Sequence, residues 1–150
     1  TASHERVGLD DAPGNRIGVQ IDGEGVTLRQ NTVRDIQPGA GAVVGVAIVT
    51  TEGSGHAILD NDVVGNDRGI ALFRGGDRTV LEGNRVVGNG DGVTTANMPY
   101  GYDFGGGNLG SKGGNVFSCN EDYDVGVWYG NVVDISGAAA PFVRGVQVDG

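Results

Sequence analysis

A repeat built around asparagine constrains this chain more than any other feature. Asn61 has an aliphatic residue three positions before it, a valine two positions after it, a second asparagine five after and a glycine eight after. The same offsets recur around Asn84, 23 residues further along, and several of them recur around Asn31 and Asn115. A unit this short holds only short strands and turns, so its recurrence every 23 to 31 residues predicts a solenoid of stacked coils.

The residues that fill the repeat exclude helical folds. Of 150 residues, 30 are glycine and 4 are proline, and the longest stretch free of both, Val26–Gln37, is twelve residues. Val and Ile far outnumber Leu and Met, and β-branched side chains favour strands. The composition therefore excludes a helical bundle and a coiled coil, while 38% hydrophobic residues suffice for a buried core.

The repeat predicts an all-β solenoid of about five to six coils. Residues 17–150 form the solenoid in this interpretation, residues 1–16 form an N-terminal arm or capping loop, and a long loop spans 93–112. We expect the repeated asparagines to adopt the left-handed conformation at the corners and to stack their side chains in hydrogen-bonded ladders. The predicted ladder residues are Asn31, Asn61, Asn84, Asn115, Asn66, Asn89 and Asn120.

Two kinds of segment carry a family resemblance. Ile58–Ile70 and its copy Leu81–Val93 resemble the right-handed parallel β-helix repeat of the pectin-lyase-like superfamily. The glycine-rich segment Phe104–Asn120 resembles uncharacterised bacterial secreted β-helix proteins. The resemblance implies a right-handed parallel β-helix with an extracellular or cell-surface location. It implies no single activity, because the superfamily includes lyases, hydrolases, epimerases, adhesins and spacers.

The charge excludes two classes of partner. The chain carries a net charge of −9 at pH 7, with a pI near 4.4. Such an acidic surface repels phosphate backbones and anionic lipids, so we expect no nucleic-acid binding. No apolar run reaches the roughly 18 residues of a spanning helix, so we expect no membrane insertion. The lone Cys119 has no disulfide partner in the chain, and we expect a buried, inert thiol.

Charged residues at equal offsets predict two ion pairs between neighbouring coils. One place after the ladder asparagine, Asp62 lies against Arg85. Seven places after it, Arg68 lies against Asp91, with Asp122 next in the same column. A solvated pair of this kind contributes about 0 to 1 kcal/mol. The alternative interpretation is an acid and a base that bracket a sugar.

The catalytic candidates are two carboxylates, Asp62 and Asp103. The resemblance implies that enzymes of this superfamily use carboxylates on neighbouring coils, either for acid and base chemistry or to hold calcium against a uronate. The coil positions on either side of Asp62 hold Thr32 and Arg85, so no carboxylate stack forms. We therefore predict no metal site and no cofactor, with a Ca²⁺ ion as the alternative. His56 is predicted to be a hydrogen-bonded wall residue rather than a base.

The segment that interrupts the repeat is the candidate ligand-binding region. Loops that project from a rigid solenoid often carry function. Aromatic rings beside a carboxylate suit stacking on sugar faces, which makes Tyr100, Tyr102 and Asp103 a candidate glycan contact. The alternative is that the aromatic rings cover one edge of the core.

The two ends of the predicted solenoid share a motif. Gly18–Gly23 reads Gly-Val-Gln-Ile-Asp-Gly, and Gly145–Gly150 repeats it with valine in place of isoleucine. Either the chain is a fragment cut within a solenoid, or its C-terminal strand matches the N-terminal coil of another copy. The second interpretation predicts head-to-tail self-association.

Two functions follow from these features. The first is a non-catalytic extracellular β-helix module with a structural, surface or self-assembling role and weak glycan contacts. The absent carboxylate stack and the repeated terminal motif favour it. The second is a polysaccharide-active enzyme of the pectin-lyase-like superfamily, a lyase, hydrolase or epimerase that takes a polysaccharide as its partner. The superfamily resemblance and the long loop favour it, and the sequence as a whole leans to the first.

Overall fold

The structure, a computed structural model, describes residues 16–39, 44–73, 77–96, 101–128, 133–134 and 146–149. The predicted arm lies outside these ranges except for Arg16, which begins the first strand. The described residues contain fifteen strands and no helix. The strands are β1 (Arg16–Ile21), β2 (Thr27–Arg29), β3 (Thr32–Arg34), β4 (Gly45–Thr50), β5 (Ala57–Leu59), β6 (Asp62–Val64), β7 (Arg68–Leu72), β8 (Val80–Glu82), β9 (Arg85–Val87), β10 (Asp91–Ala96), β11 (Tyr102–Asp103), β12 (Val116–Ser118), β13 (Tyr123–Trp128), β14 (Val133–Asp134) and β15 (Val146–Asp149).

The strands form three parallel sheets that wind as a right-handed parallel β-helix. Sheet A has the order β1-β4-β7-β10-β13-β15, sheet B the order β14-β11-β8-β5-β2, and sheet C the order β12-β9-β6-β3. Each coil therefore pairs its strands with the equivalent strands of the coils before and after it. The predicted fold class is confirmed. The described residues hold four coils with all three strands, followed by β13, β14 and β15. The number of coils with all three strands described is therefore lower than the predicted five to six.

Stacked inward side chains build the core. Side chains alternate between the two faces of a strand, and parallel register places equivalent residues above one another. In sheet C, one such column contains Val33, Val63, Val86 and Phe117. In sheet B, the matching column contains Leu28, Ile58 and Leu81. The members from the second and third coils are fully buried, whereas Leu28 and Val33 of the first coil are each 7% exposed.

The register of sheet A corrects one part of the predicted repeat. Gly18, Gly69 and Gly92 share a column, but the residue at that position in the second coil is Ala47 rather than Gly45. An alignment of that coil on Gly45 would be displaced by two residues, and it would keep the same side chains on each face because the strand period is two.

Part of the predicted long loop is strand. β10 continues to Ala96 and β11 occupies Tyr102–Asp103, so six residues of the 93–112 segment lie in strands. Within the described ranges, the connection that departs from the repeat runs from residue 104 to 115.

The corners are turned by the residue before each asparagine and not by the asparagine itself. Among the described residues, no asparagine has a positive φ. The residue one place before each ladder position has φ between 54° and 75°: Gln30, Asp60, Gly83 and Gly114 at one corner and Asp35, Gly65, Gly88 and Cys119 at the next. The predicted left-handed asparagines were therefore wrong. The buried thiol was also wrong, because Cys119 at its corner is exposed.

Candidate functional site

The first corner holds a ladder of asparagine side chains. Asn31 Nδ2 donates to Asn61 Oδ1 at 3.1 Å, Asn61 Nδ2 donates to Asn84 Oδ1 at 3.0 Å, and Asn84 Nδ2 donates to Asn115 Oδ1 at 2.9 Å. Each Oδ1 also accepts the backbone N–H of the asparagine one coil earlier, at 3.0 Å. The second amide proton of Asn61 goes to the Leu28 carbonyl. Each middle asparagine thus uses its whole hydrogen-bonding capacity inside the coil.

A second ladder follows at the next corner. Asn66 Nδ2 donates to Asn89 Oδ1 at 2.9 Å, and Asn89 Nδ2 donates to Asn120 Oδ1 at 3.0 Å. Ile36 stands where the repeat would place an asparagine in the first coil, and its backbone N–H still donates to Asn66 Oδ1. The three asparagines are at most 2% exposed.

Both ladders are closed at their C-terminal ends. Asn115 Nδ2 donates to the Phe104 carbonyl at 2.8 Å. Asn120 Nδ2 donates to Asp124 Oδ1 at 2.7 Å, so a buried carboxylate replaces the next amide. Sequence reasoning missed Asp124, because it lies four residues after Asn120 and outside every offset of the repeat.

The Asp103 carboxylate organises the connection after β11. Gly105 and Gly107 donate their backbone N–H groups to Oδ1 at 2.9 and 3.1 Å. Leu109 and Ser111 donate theirs to Oδ2 at 3.0 and 3.1 Å. Asp103 is 1% exposed. The four N–H groups of its own loop use the acceptor positions of its carboxylate. It is available neither as a catalytic acid nor as a base for an external substrate.

The predicted glycan contact is not assembled by the described residues. Tyr102 is 3% exposed, its hydroxyl donates to the Leu72 carbonyl at 3.2 Å, and its ring lies 6.3 Å from that of Phe104. Tyr102 and Asp103 therefore present no surface on which a sugar could stack, and the alternative role in covering the core is correct for Tyr102. Tyr100 lies outside the described residues.

The first predicted ion pair is present on the outside of sheet C. Arg85 and Asp62 share a register position, and Arg85 Nη1 lies 2.7 Å from Asp62 Oδ1. The two side chains are 52% and 45% exposed, which limits the contribution of the pair to about 0 to 1 kcal/mol. Thr32 occupies the position of Asp62 in the preceding coil, so Asp62 has no carboxylate partner in its column.

The second predicted ion pair belongs to a less exposed cluster on sheet A. Arg68 Nε lies 3.0 Å from Asp91 Oδ2, and the Asp91 side chain is 12% exposed. The next residue in this column is Tyr123 and not Asp122, so the predicted third member was wrong by one residue. The Tyr123 hydroxyl lies 3.0 Å from Thr94 Oγ1.

Burial raises the pKa values of two side chains in this cluster, Asp91 and Tyr123. Desolvation raises the pKa of Asp91, while Arg68 and a hydrogen bond from Tyr123 partly oppose the rise. The neighbouring carboxylates Asp122 and Asp67 add to it. Desolvation also raises the pKa of Tyr123. The cluster therefore contains a carboxyl group that holds its proton more tightly than a solvated aspartate, beside a tyrosine that stays neutral.

His56 is a wall residue with both ring nitrogens engaged. It is 1% exposed, Nδ1 accepts the Val26 backbone N–H at 3.3 Å, and Nε2 lies 3.2 Å from the Glu52 carbonyl oxygen. These two partners assign the proton to Nε2 in a neutral ring. Neither nitrogen is available to act as a base on a substrate.

The described residues offer no cluster of three or more His, Cys, Asp or Glu side chains that could hold a metal ion. Over the same ranges, the chain has no helix of the length and apolar character needed to cross a membrane.

Comparison with protein families gives a match that covers most of the chain. A family model described as "Protein of unknown function (DUF1565)" matches residues 8–138. No curated protein and no solved structure matches the chain. The matched segment contains both ladders, the Asp103 loop and the two predicted ion pairs between coils.

Proposed function

The chain belongs to the DUF1565 family, and we propose that it is a non-catalytic β-helix module with a structural role outside the cell or on its surface. The observation that carries the proposal is that the interior polar side chains of the solenoid form hydrogen bonds with one another. The asparagine amides bind one another, and Asp124 binds the end of a ladder. These groups stabilise the contact between coils, and in the part of the chain that the structure describes none of them is left as a free acid that faces a base.

The fate of the two catalytic candidates supports the same proposal. A glycosidase needs two carboxyl groups on either side of the scissile bond. Asp103 is enclosed by the four N–H groups of its loop, and Asp62 is paired with Arg85 without a second carboxylate in its column. Neither arrangement supplies the chemistry that the enzyme hypothesis requires of these residues.

One observation favours the enzyme alternative, and it concerns a different carboxylate. Asp91 has a raised pKa and lies beside Arg68 and Tyr123. Carboxyl groups with perturbed pKa values are frequent in catalytic sites, although structural ion pairs produce the same signature. If the protein is an enzyme, we propose Asp91 as its acid and a polysaccharide lyase or glycoside hydrolase as its class.

An activity screen with two matched variants separates the two proposals. The purified protein is incubated with neutral and acidic polysaccharides, and unsaturated uronates and new reducing ends are measured. The variants are Asp91→Asn and, as a control, Asp62→Asn, which breaks an exposed ion pair. The structural role predicts no product above the blank for any of the three proteins. Product from the wild type and Asp62→Asn that is lost in Asp91→Asn would overturn it in favour of the enzyme.

The location is a proposal that a separate experiment tests. It is supported by the resemblance of residues 104–120 to bacterial secreted β-helix proteins. We expect the protein in the culture medium, or on intact cells where an added protease can reach it. Recovery only inside cells, protected from the protease until lysis, would contradict an extracellular role.

A further inference from the structure

The backbone of the loop after β11 surrounds one carboxylate with four N–H groups. Gly105 and Gly107 donate to one oxygen of Asp103, and Leu109 and Ser111 donate to the other. The four N···O distances lie between 2.9 and 3.1 Å. Backbone N–H groups that point into one concavity bind anions. The loop therefore has the geometry of an anion-binding site whose ligand belongs to the same chain.

The arrangement of the donors selects the shape of the anion. Two N–H groups reach each oxygen, so the site matches an anion in which two neighbouring oxygen atoms share the charge. A carboxylate is such an anion, with about four acceptor positions on its two oxygens. Chloride is a single sphere and cannot reproduce two separate acceptor atoms. The chemical class that fits the site is therefore a small carboxylate.

Contacts that do not involve the Asp103 carboxylate hold both ends of the loop. At its start, the Phe104 side chain is fully buried and the Phe104 carbonyl accepts a hydrogen bond from Asn115 Nδ2 at 2.8 Å. At its end, Ser111 Oγ donates to the Leu81 carbonyl at 2.8 Å. The loop is thus attached to the core and to the preceding coil through other groups.

Two backbone hydrogen bonds add to this attachment. Gly83 donates its N–H to the Gly113 carbonyl at 3.0 Å, which ties the end of the loop to the preceding coil. Gly106 donates its N–H to the Ser111 carbonyl at 3.2 Å, which closes the loop on itself. These bonds orient the backbone around the site and do not use the Asp103 carboxylate.

The site can be reached from solvent on the outer side of the loop. Gly106, Asn108, Leu109 and Gly110 are exposed, whereas Asp103 enters the site from β11 and is 1% exposed. The donors therefore lie between a side chain that comes from the sheet and a stretch of backbone in contact with water.

We propose that residues 105–111 form a binding site for small carboxylates, and that Asp103 occupies it as an intramolecular ligand. The site persists when the Asp103 side chain is removed, and it then binds a free carboxylate in the same position. In the wild type, the tether keeps the effective concentration of Asp103 high, so a free carboxylate does not displace it. The proposal holds whether or not the module is an enzyme.

Two variants test the site through the size of the space that they leave. Asp103→Gly removes a CH₂COO⁻ group, so acetate fits the space. Asp103→Ala keeps Cβ, so formate fits, whereas the methyl group of acetate collides with Cβ. We expect acetate to stabilise Asp103→Gly and formate to stabilise Asp103→Ala. The midpoint of urea unfolding at pH 7, measured over a series of sodium acetate or sodium formate concentrations, gives both effects.

Mass action sets the size of the effect. Small ligands gain little binding energy from their few atoms, so we expect a Kd of about 10 mM. At that Kd, 100 mM acetate raises the folding equilibrium constant of Asp103→Gly about tenfold. Sodium chloride at equal ionic strength gives the baseline, because it screens charges to the same extent. Asp62→Gly is the matched control, since the Asp62 carboxylate is half-exposed and pairs with the Arg85 side chain instead of backbone N–H groups.

Amide signals in the NMR spectrum locate the bound anion. In Asp103→Gly, the signals of the four donor residues should shift with acetate and reach saturation. Such shifts, with stabilisation by acetate that is absent from the wild type and from Asp62→Gly, support the site.

Four results would overturn the proposal. They are equal stabilisation by chloride, the same response to acetate in Asp62→Gly, acetate acting on Asp103→Ala as strongly as formate, and shifts that do not include the four donors. If neither Asp103 variant folds at any anion concentration, the loop provides no site without its own carboxylate, and the proposal also fails. None of these results depends on the polysaccharide screen, so the carboxylate site and the non-catalytic function fail separately.

Discussion

The regular corners and the loop after β11 differ in how they provide hydrogen-bond partners for backbone groups that lie outside the sheets. At the corners, backbone groups that leave the sheets are bound by asparagine side chains from the neighbouring coil. In the loop, four backbone N–H groups are bound by one carboxylate of the same coil, that of Asp103. A repeat lets each coil satisfy the next, whereas a segment without counterparts in the neighbouring coils has to satisfy its own backbone.

The two solutions differ in how the stabilisation is distributed. The ladder uses neutral hydrogen bonds that each contribute about 1 kcal/mol, and it depends on the asparagines on both sides. The loop uses charged hydrogen bonds that are stronger individually, but Leu109 beside them is 38% exposed, so water can reach part of the loop. We therefore expect the middle of a ladder to be more sensitive to truncation than the centre of the loop.

The largest effect is expected from Asn84→Ala. The side chain is fully buried, accepts from the N–H and Nδ2 of Asn61, and donates to Asn115 and to the Ile58 carbonyl. Its removal orphans buried partners on both sides, and we expect a loss of about 4 kcal/mol in the free energy of unfolding, measured in urea. Asn31→Ala, at the open end of the same ladder, should lose only about 1 kcal/mol. Equal losses for the two variants would refute a cooperative ladder.

The next effect is expected from Asp103→Ala, at about 3 kcal/mol, because four N–H groups lose their acceptor. Asp103→Asn keeps one acceptor oxygen but replaces the other with a donor that faces N–H groups, and it should cost about half as much. Urea unfolding followed by tryptophan fluorescence measures both. A loop that tolerates Asp103→Ala within about 0.5 kcal/mol would show that the carboxylate does not organise it.

Two glycine substitutions separate close packing from backbone conformation. A Cβ at Gly69 would collide with the Gly92 carbonyl oxygen and lie 2.8 Å from Val86 Cγ1. We expect Gly69→Ala to cost about 2 kcal/mol. Gly88 has φ of 66° with open space around its Cβ position, so Gly88→Ala should cost about 1 kcal/mol through conformation alone. Thermal unfolding of both variants measures the difference, and the reverse order would contradict the packing of the sheet A column.

The smallest effect concerns pH. Burial raises the pKa of Asp91 above the ordinary value of 3.8, so the folded protein binds this proton more tightly than the unfolded chain does. The contribution of Asp91 to stability is therefore fully present below the unfolded value and is lost as pH rises through the raised folded pKa. Asp91→Asn imitates the neutral form, so its stability relative to the wild type should increase between pH 3 and pH 7. A pH-independent difference between the two proteins would contradict the raised pKa.

The sequence was sufficient for the stacking of equivalent coils and insufficient for what breaks the repeat. The column that contains Val63 and Val86, and the pairing of Asp62 with Arg85, follow from offsets of 23 residues that the chain states directly. The register of the second coil does not follow from such an offset. Gly45 and Ala47 are two residues apart, so an alignment on either one places the same side chains on each face of the strand.

The structure of the Asp103 loop could not be predicted from the repeat, for a physical reason. Four backbone N–H groups converge on its carboxylate because of the conformation of residues 104–111, and no periodic pattern encodes that conformation. The aromatic neighbours of Asp103 suggested a sugar contact, although burial was the stronger demand on Tyr102. Cys119 is a similar case, because its exposure follows from the left-handed corner that it occupies rather than from its apolar side chain.

Native-state hydrogen exchange measured by NMR tests the central claim most directly, namely that the ladders stabilise the solenoid as a unit. The backbone N–H groups of Asn61, Asn84 and Asn89 each donate to the Oδ1 of the next ladder residue. The account predicts that they exchange only through global unfolding, with the free energy that urea unfolding gives, while the N–H of exposed Asn108 exchanges far faster. Exchange of the three ladder groups at the rate of Asn108 would contradict it.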